Sequence, residues 1–264
     1  MPATMTAEHS AMIAYPDKMT ARSAVWRALD DQGQAAYPFP PRGRIPNFKG
    51  AELAARRLLD HPWFASVKHL KANPDAPQLP VRVGALRRGI TVYVPTPRLK
   101  GGFRRLDPAK IPEGDYRKAA SLTHMDDYAE SVGLRDLPAF DLIVTGSVAV
   151  TRAGKRCGKG HGYGDLEFAI LRELGHPPPR VATTVHDLQL VEDFPSERHD
   201  LPVSLIVTPD ATIEVAASLP PPLGIDWSLL KPEDLAAMPI LADLKAIKQP
   251  RPVVSTDGSP DCAT

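Results

Sequence analysis

Short apolar runs alternate along the chain with segments whose apolar residues recur at helical spacing. Runs of branched apolar side chains predict strands, and recurrence every third or fourth residue predicts helices. The predicted strands are 66–70, 90–94, 141–144, 180–185 and 203–208. The predicted helices are 18–29, 50–59, 81–87 and one that covers 166–171. Strands that alternate with helices indicate an α/β domain with a mainly parallel sheet.

The segment 154–165 (GKRCGKGHGYGD) adds chemistry to this pattern. It follows the strongly apolar run 140–150, which is typical of a buried strand, and it leads into the helix at 166–171. Glycines allow backbone N–H groups to turn inward, and a helix N-terminus carries partial positive charge. Since Arg156 and Lys159 add two cations, the segment is suited to bind phosphate groups.

Other interpretations of this loop stay open on composition alone. A glycine-rich turn with solvated basic residues is the simplest, because the glycines follow neither P-loop nor dinucleotide-binding spacing. Asp165 stands at the expected helix start, where a carboxylate either caps the helix or holds a divalent cation. Cys157 is either a reactive thiol or, more simply, a small residue that fills the loop.

Composition limits the classes of function. Lys and Arg number 32 against 31 Asp and Glu, so a net charge of +1 gives no case for nucleic acid. No apolar run reaches membrane-spanning length, and two distant cysteines favour a reducing, cytoplasmic setting. We expect one domain at 18–249, after a flexible arm at 1–17 and before a disordered tail at 250–264. A monomer or homodimer is expected.

The residues 141–144 and 154–165 together resemble the signature of 5-formyltetrahydrofolate cyclo-ligase, also called methenyltetrahydrofolate synthetase. Residues 189–209 are similar to a second segment of that family, and 18–22 (KMTAR) matches its K-x-x-x-R helix. Further motifs resemble a divergent branch, the methenyltetrahydrofolate synthetase domain-containing proteins. These motifs are 44–50 (RIPNFKG), 71–78 (KANPDAPQ), 94–99 (VPTPRL) and 185–189 (VHDLQ). The resemblance implies an α/β fold of the NagB/RpiA/CoA-transferase type.

The activity implied by the resemblance is the ATP- and Mg²⁺-dependent cyclisation of 5-formyltetrahydrofolate to 5,10-methenyltetrahydrofolate through a phosphorylated formyl intermediate. Its partners would be the small molecules ATP and a reduced folate, without nucleic acid or membrane. Arg156 and Lys159 would serve catalysis by neutralising phosphate charge. The residues that match ATP contacts are Lys18, Arg22, Arg156, Gly158, Lys159, Gly160, His161, Gly162 and Tyr163.

By the same resemblance, Asp165 and Asp200 match aspartates associated with Mg²⁺, although Asp200 could instead be a turn residue. Asp75 takes the position of a folate-binding glutamate and, with Tyr163, would contact the folate. Asp75 is one methylene shorter than that glutamate, and Gly164 replaces a family tyrosine. The phosphate side of the site therefore follows the family pattern more closely than the pterin side does.

Three further cations, Lys49, Lys71 and Arg98, lie in the segments shared with the divergent branch. By analogy with other α/β sheets, loops at strand ends could aim them into one cleft, and solvated surface charge is the alternative. Two other functions stay open. One is another enzyme of this fold, either a sugar-phosphate isomerase or an ATP-dependent enzyme that acts on a non-folate substrate such as a thiamine-related compound. The other is a non-catalytic module that binds nucleotide or folate.

Overall fold

The computed structural model describes residues 13–216 and 219–248. The predicted tail at 250–264 and residues 1–12 of the predicted arm lie outside the described residues. The rest of the arm leads into the first helix, and the N–H of Tyr15 donates to the carbonyl of Asp193 at 2.8 Å. No helix in the described ranges has the length and apolar character needed to cross a membrane. The division into arm, domain and tail stays a prediction.

Most of the predicted elements are present with shifted ends. The helices are α1 Lys18–Asp31, α2 Ala51–Leu59, α3 Leu79–Arg87, α4 Tyr116–Ala119, α5 Tyr163–Glu173, α6 Pro232–Ala237 and α7 Ile240–Lys248. The strands are β1 Ala35–Ala36, β2 Asn47–Phe48, β3 His69–Ala72, β4 Thr91–Pro95, β5 Phe103–Leu106, β6 Glu130–Val132, β7 Leu142–Val144, β8 Ala149–Thr151, β9 Arg156–Cys157, β10 Arg180–Thr184, β11 Leu190–Val191, β12 Leu205–Val207 and β13 Thr212–Glu214.

An eight-stranded sheet in the order β13-β12-β10-β7-β3-β4-β5-β6 forms the centre of the fold. Its five consecutive strands from β12 to β4 are parallel, and the remaining strands add antiparallel at the edges. The predicted α/β class with a mainly parallel sheet is confirmed. Because the carboxyl ends of parallel strands meet at one edge, that edge is the usual place for a ligand.

The central sheet is covered by apolar core on both faces. Side chains of a strand alternate between faces, so Leu142 and Val144 of β7 pack with α2 and α3. Ile143 points to the opposite face and packs in the core that α5 and α7 cover. The sequence pattern did not predict α7, yet its Leu241 and Leu244 are fully buried there.

Two predicted strands differ from the structure. Residues 62–66 form a 3₁₀ helix, and β3 begins only at His69, where the Asp141 carboxylate accepts the N–H groups of Lys68 and His69. The run 140–150 is not one strand, because β7 belongs to the central sheet and β8 to a small sheet of order β11-β8-β9. The turn between them passes Gly146, where a Cβ would lie 3.0 Å from the Ile45 side chain.

Gly154, in the turn between β8 and β9, provides a test of this packing. Its φ is +84°, and a Cβ there would lie 2.5 Å from the carbonyl oxygen of Val203. We expect Gly154→Ala to lower the free energy of unfolding by about 3 kcal/mol or more, because left-handed strain and a backbone clash add. Gly33→Ala is the control, since φ is +60° there and nothing lies within 4 Å. Urea unfolding should show a loss of only about 1 kcal/mol for that control; equal losses would contradict the clash.

Candidate functional site

A cleft of about 820 Å³ opens between α1, the glycine-rich loop and the carboxyl ends of β3 and β4. It brings together residues as distant in sequence as Lys18 and Asp200. All of the residues assigned to ligand binding or catalysis by motif position line this cleft. They are Lys18, Arg22, Asp75, Arg156, Gly158, Lys159, Gly160, His161, Gly162, Tyr163, Asp165 and Asp200.

The glycine-rich loop runs from the end of β9 to the start of α5. Gly162 occupies the N-cap position of α5 in the left-handed region, with φ of 69°, and no side chain caps the helix. The helix starts at Tyr163, earlier than the predicted 166–171. Asp165 therefore lies inside the first turn, so the alternative that it caps the helix is excluded. Its carboxylate accepts from Arg156 at 2.6 Å and from the N–H of Leu201 at 2.9 Å.

Arg156 is buried beneath this loop and joins several segments. Besides Asp165, its guanidinium donates to the carbonyls of Gly146 at 2.9 Å and Leu201 at 3.3 Å. Burial is the largest single effect on the pKa of Arg156 and acts to lower it. The charge and the hydrogen bond of Asp165, with smaller contributions from Cys157 and Asp200, together outweigh burial, so the pKa of Arg156 is raised. Arg156 therefore stays charged and holds the strand turn, the helix start and the Leu201 segment around the cleft.

The two predicted cations of α1 share one helix face, as their spacing requires. Asp17 caps α1 by accepting the N–H of Thr20 at 2.7 Å. Lys18 donates to Asp200 at 2.6 Å and to Glu197 at 3.0 Å. Burial is the largest single effect on its pKa and acts to lower it, but the two carboxylates together outweigh burial, so the pKa of Lys18 is raised. Arg22 is buried, and its Nε donates to the carbonyl of Gly158 at 2.6 Å. Both side chains are thus held in place at the cleft wall.

Asp75 and Lys159 pair across the cleft, with Nζ at 2.9 Å from Oδ1. The backbone near Asp75 is fixed by the fully buried Arg82, which donates to the carbonyls of Asn73 and, at 3.2 Å, Asp75. Burial lowers the pKa of Arg82 to about 10, so it remains charged at neutral pH. The carboxylate predicted to contact folate is thus held through its backbone and paired with a cation.

Asp200 belongs to a small acidic group at one end of the cleft. Its carboxylate accepts from the N–H of Glu197 at 2.6 Å and from the hydroxyl of Ser196 at 3.2 Å, so Asp200 stabilises the turn at 197–200 whether or not it also binds a metal. Ligand atoms of Glu197, His199 and Asp200 lie within 4.8 Å of one another. Two of these three residues offer the oxygen ligands that Mg²⁺ prefers.

The three cations predicted by analogy have different outcomes. Lys49 is exposed and lies outside the cleft, so the cleft role is wrong for Lys49 and the surface-charge alternative holds. Arg98 lines the cleft from an exposed turn with φ of 57°, an uncommon conformation for a residue that is not glycine. Lys71 is buried below the cleft and pairs with Glu167. It also donates to Asn73 at 2.9 Å.

Sequence reasoning missed Glu167 and Asn73, which both line the cleft. Burial raises the pKa of the Glu167 carboxyl, and the adjacent Lys71 opposes that rise. One signal was present, because Glu167 is the only charged residue in the apolar stretch 166–171. A charge on the buried side of a helix requires a partner. The sequence did not show which residue that partner was.

Two other residues of the glycine-rich segment take structural or surface positions. Cys157 is buried, and burial raises the pKa of its thiol, so it fills space as expected and is not an activated nucleophile. His161 is exposed and stacks on Tyr163, with ring centroids 5.8 Å apart and an interplanar angle of 18°. The pair presents a flat aromatic surface at the mouth of the cleft.

The cleft as a whole combines charge with apolar surface. Five cationic and five carboxylate side chains line it, together with open backbone at the start of α5. Ile45, Pro95 and Leu122 supply an apolar wall. This arrangement fits a ligand that has an anionic part and a flat, less polar part.

Comparison with known proteins supports this picture. Residues 17–209 match the 5-formyltetrahydrofolate cyclo-ligase family. The methenyltetrahydrofolate synthase domain-containing proteins of Bos taurus and Homo sapiens are 41% and 38% identical over 86% and 88% of this chain. The chain spans 62% of the length of each. The 5-formyltetrahydrofolate cyclo-ligase of Escherichia coli K12 is 35% identical over 30% of the chain and 41% of that protein.

Solved structures with similar folds include the 5,10-methenyltetrahydrofolate synthetase of Aquifex aeolicus, with a TM-score of 0.48 and 18% identity over 77% of this chain and 95% of that one. Ribose 5 phosphate isomerase A of Neisseria gonorrhoeae aligns with a TM-score of 0.35 and 11% identity over 55% and 54%. At such scores, neither alignment bears on the chemistry of the cleft. The match of residues 17–209 covers well over half of the sequence. The chain therefore belongs to the 5-formyltetrahydrofolate cyclo-ligase family.

Proposed function

We propose that the protein converts 5-formyltetrahydrofolate to 5,10-methenyltetrahydrofolate with ATP and Mg²⁺. One observation carries the proposal: all the residues assigned by motif position, from Lys18 to Asp200, line a single cleft beside the open N-terminus of α5. The proposal requires no macromolecular partner, and it keeps the cytoplasmic setting expected from the cysteine content.

In this reaction the formyl oxygen attacks the γ-phosphate of ATP, N10 of the folate closes onto the activated carbon, and phosphate leaves. The protein needs to position the reactants and neutralise phosphate charge, and it needs no nucleophile of its own. Under the proposal, Lys18, Arg22 and Lys159 bind the triphosphate together with the backbone N–H groups at the start of α5. Arg156 acts through the loop, because its guanidinium is committed to protein acceptors.

The acidic group at Asp200 fits a divalent cation by its donor chemistry. Asp200 and Glu197 offer carboxylate oxygens, and the ammonium of Lys18 already bonds to both of them. Mg²⁺ would neutralise charge between the phosphates. Asp165 is the other candidate ligand, since Arg156 and the Leu201 N–H both bond to its Oδ1 atom and leave Oδ2 to face the cleft side of the helix start.

The folate side of the proposal depends on Asp75 and Tyr163. The carboxylate of Asp75 is paired with Lys159, so a substrate must either share or displace that ammonium. Because the carboxylate assigned to folate already has a protein partner, a second candidate function remains. It is an ATP-dependent enzyme of the same fold that acts on a non-folate, thiamine-related compound. The reaction product separates the two candidates.

The direct test is formation of methenyltetrahydrofolate by the purified protein. We expect its absorbance to appear with 5-formyltetrahydrofolate, ATP and Mg²⁺ together, and not when ATP or Mg²⁺ is omitted. Turnover without ATP would point to an isomerase. A protein that binds Mg-ATP but forms no methenyl product would reject the folate assignment and leave the second candidate.

Lys18 tests the phosphate side of the cleft. We expect Lys18→Met to weaken Mg-ATP binding by about 1.5–3 kcal/mol, because a charge-assisted bond to phosphate is lost. Lys155→Met is a matched control, since Lys155 also pairs with an aspartate, Asp193, but lies outside the cleft. Calorimetry should show a lower affinity only for the Lys18 variant. The same affinity in both variants would remove Lys18 from the site.

Asp200 tests the metal assignment in the same way. We expect Asp200→Asn to raise the Mg²⁺ concentration needed for half-maximal activity by about tenfold or more, because an anionic oxygen ligand is lost. Asp193→Asn changes a carboxylate that bonds to Lys155 and should leave the Mg²⁺ dependence as it is. Activity titrated with Mg²⁺ at saturating ATP gives the comparison, and identical curves would exclude Asp200 as a ligand.

A further inference from the structure

The buried ion pair of Lys71 and Glu167 lies at the floor of the cleft. The side chains are 1% and 5% exposed, respectively. Removing two charges from water costs several kcal/mol per ion, and apolar residues of similar volume often fill such a position at lower cost. A buried pair beside a cleft therefore calls for a functional explanation.

Only one member of the ion pair reaches the cleft surface. Lys71, in β3, lies behind the cleft surface, whereas Glu167, in α5, lines the cleft together with Asn73. The ammonium of Lys71 donates to Oε2 of Glu167 and to Oδ1 of Asn73. Oε1 of Glu167 accepts no hydrogen bond from residues 13–216 and 219–248.

The same ammonium fixes the orientation of Asn73. Because an ammonium only donates, it selects the oxygen of the Asn73 amide and leaves Nδ2 to point elsewhere. Nδ2 donates to no other residue in the described part of the chain. The floor of the cleft thus carries an anionic acceptor, Glu167, beside a neutral donor, Asn73.

We propose that Glu167 and Asn73 form a subsite for a ring edge that presents an N–H donor next to an acceptor. Glu167 accepts the N–H of that edge, on a ring nitrogen in a pterin lactam or on the exocyclic amino group in an aminopyrimidine, and Asn73 donates to the neighbouring oxygen or nitrogen. Lys71 is a positioning residue that holds both groups. The inference rests on the proposed function for its main ligand, since the lactam edge of a reduced pterin has this pattern. An aminopyrimidine ring has it too.

Asp75 is less suited to this role. Its carboxylate is bound by Lys159, and both side chains are more exposed than the pair below, at 14% and 34%. Glu167 is fixed deeper in the cleft, where a hydrogen bond to a ligand is less screened by water. The structure therefore offers a heterocycle site that the motif comparison did not include.

The test measures ring binding in the whole protein by calorimetry. The probes are 5-formyltetrahydrofolate, pterin-6-carboxylate, which has the pterin ring without the tail, and 4-amino-5-hydroxymethyl-2-methylpyrimidine. We expect Glu167→Gln to weaken the ring ligand about 10- to 100-fold and to leave Mg-ATP affinity unchanged. Glu173→Gln is the control on the same helix, since Glu173 accepts from the Ile225 N–H outside the cleft.

Glu167→Gln leaves the buried Lys71 ammonium without its anionic partner and so lowers stability as well as ring binding. A double variant, Lys71→Met with Glu167→Leu, separates the loss of ring binding from this loss of stability. Removing both charges should restore a near wild-type melting temperature, because no unpaired buried ion remains, while ring binding stays weak. Ring binding equal to wild type in either Glu167 variant overturns the subsite and leaves the proposed reaction standing. If the wild-type protein binds the pyrimidine probe but neither pterin probe, the result supports the subsite and overturns the folate assignment. Binding of none of the three probes overturns both.

Discussion

The cleft depends on one buried cation, the guanidinium of Arg156. It bonds to the turn after β7, to the start of α5 through Asp165, and to the carbonyl of Leu201. These segments are far apart in sequence, and each supplies part of the cleft wall. A planar group with several fixed donors can hold three acceptors at once, which a lysine at this position would not match. Burial of the charge is tolerated because those acceptors replace water.

Local sequence predicted the parts of the site that are local. The glycine spacing of 154–165, the shared face of Lys18 and Arg22, and the mainly parallel sheet all follow from neighbouring residues. Asp165 lies at the cleft as predicted, and the alternative that it caps the helix fails because helix α5 starts before it. A glycine at the cap position offered no side chain from which that earlier start could be predicted.

The remaining features depend on long-range contacts that a single sequence does not encode visibly. Lys71 and Glu167 are 96 positions apart, and their pairing follows from how α5 packs across β3. The apolar run 140–150 divides between two sheets, and the segment between them passes Gly146, where a Cβ would lie only 3.0 Å from the Ile45 side chain. Periodicity describes which residues are buried, and it does not specify the sheet in which they are buried.

The equal numbers of cationic and anionic side chains in the cleft have a kinetic consequence. Lys18, Arg156 and Lys159 each face a carboxylate in the protein, so the cleft projects little net field into solvent. Long-range attraction raises association rates only where one sign of charge dominates. A polyanionic ligand would therefore arrive by ordinary diffusion, at a rate that ionic strength changes little, and selectivity would arise after contact, when these ion pairs exchange partners.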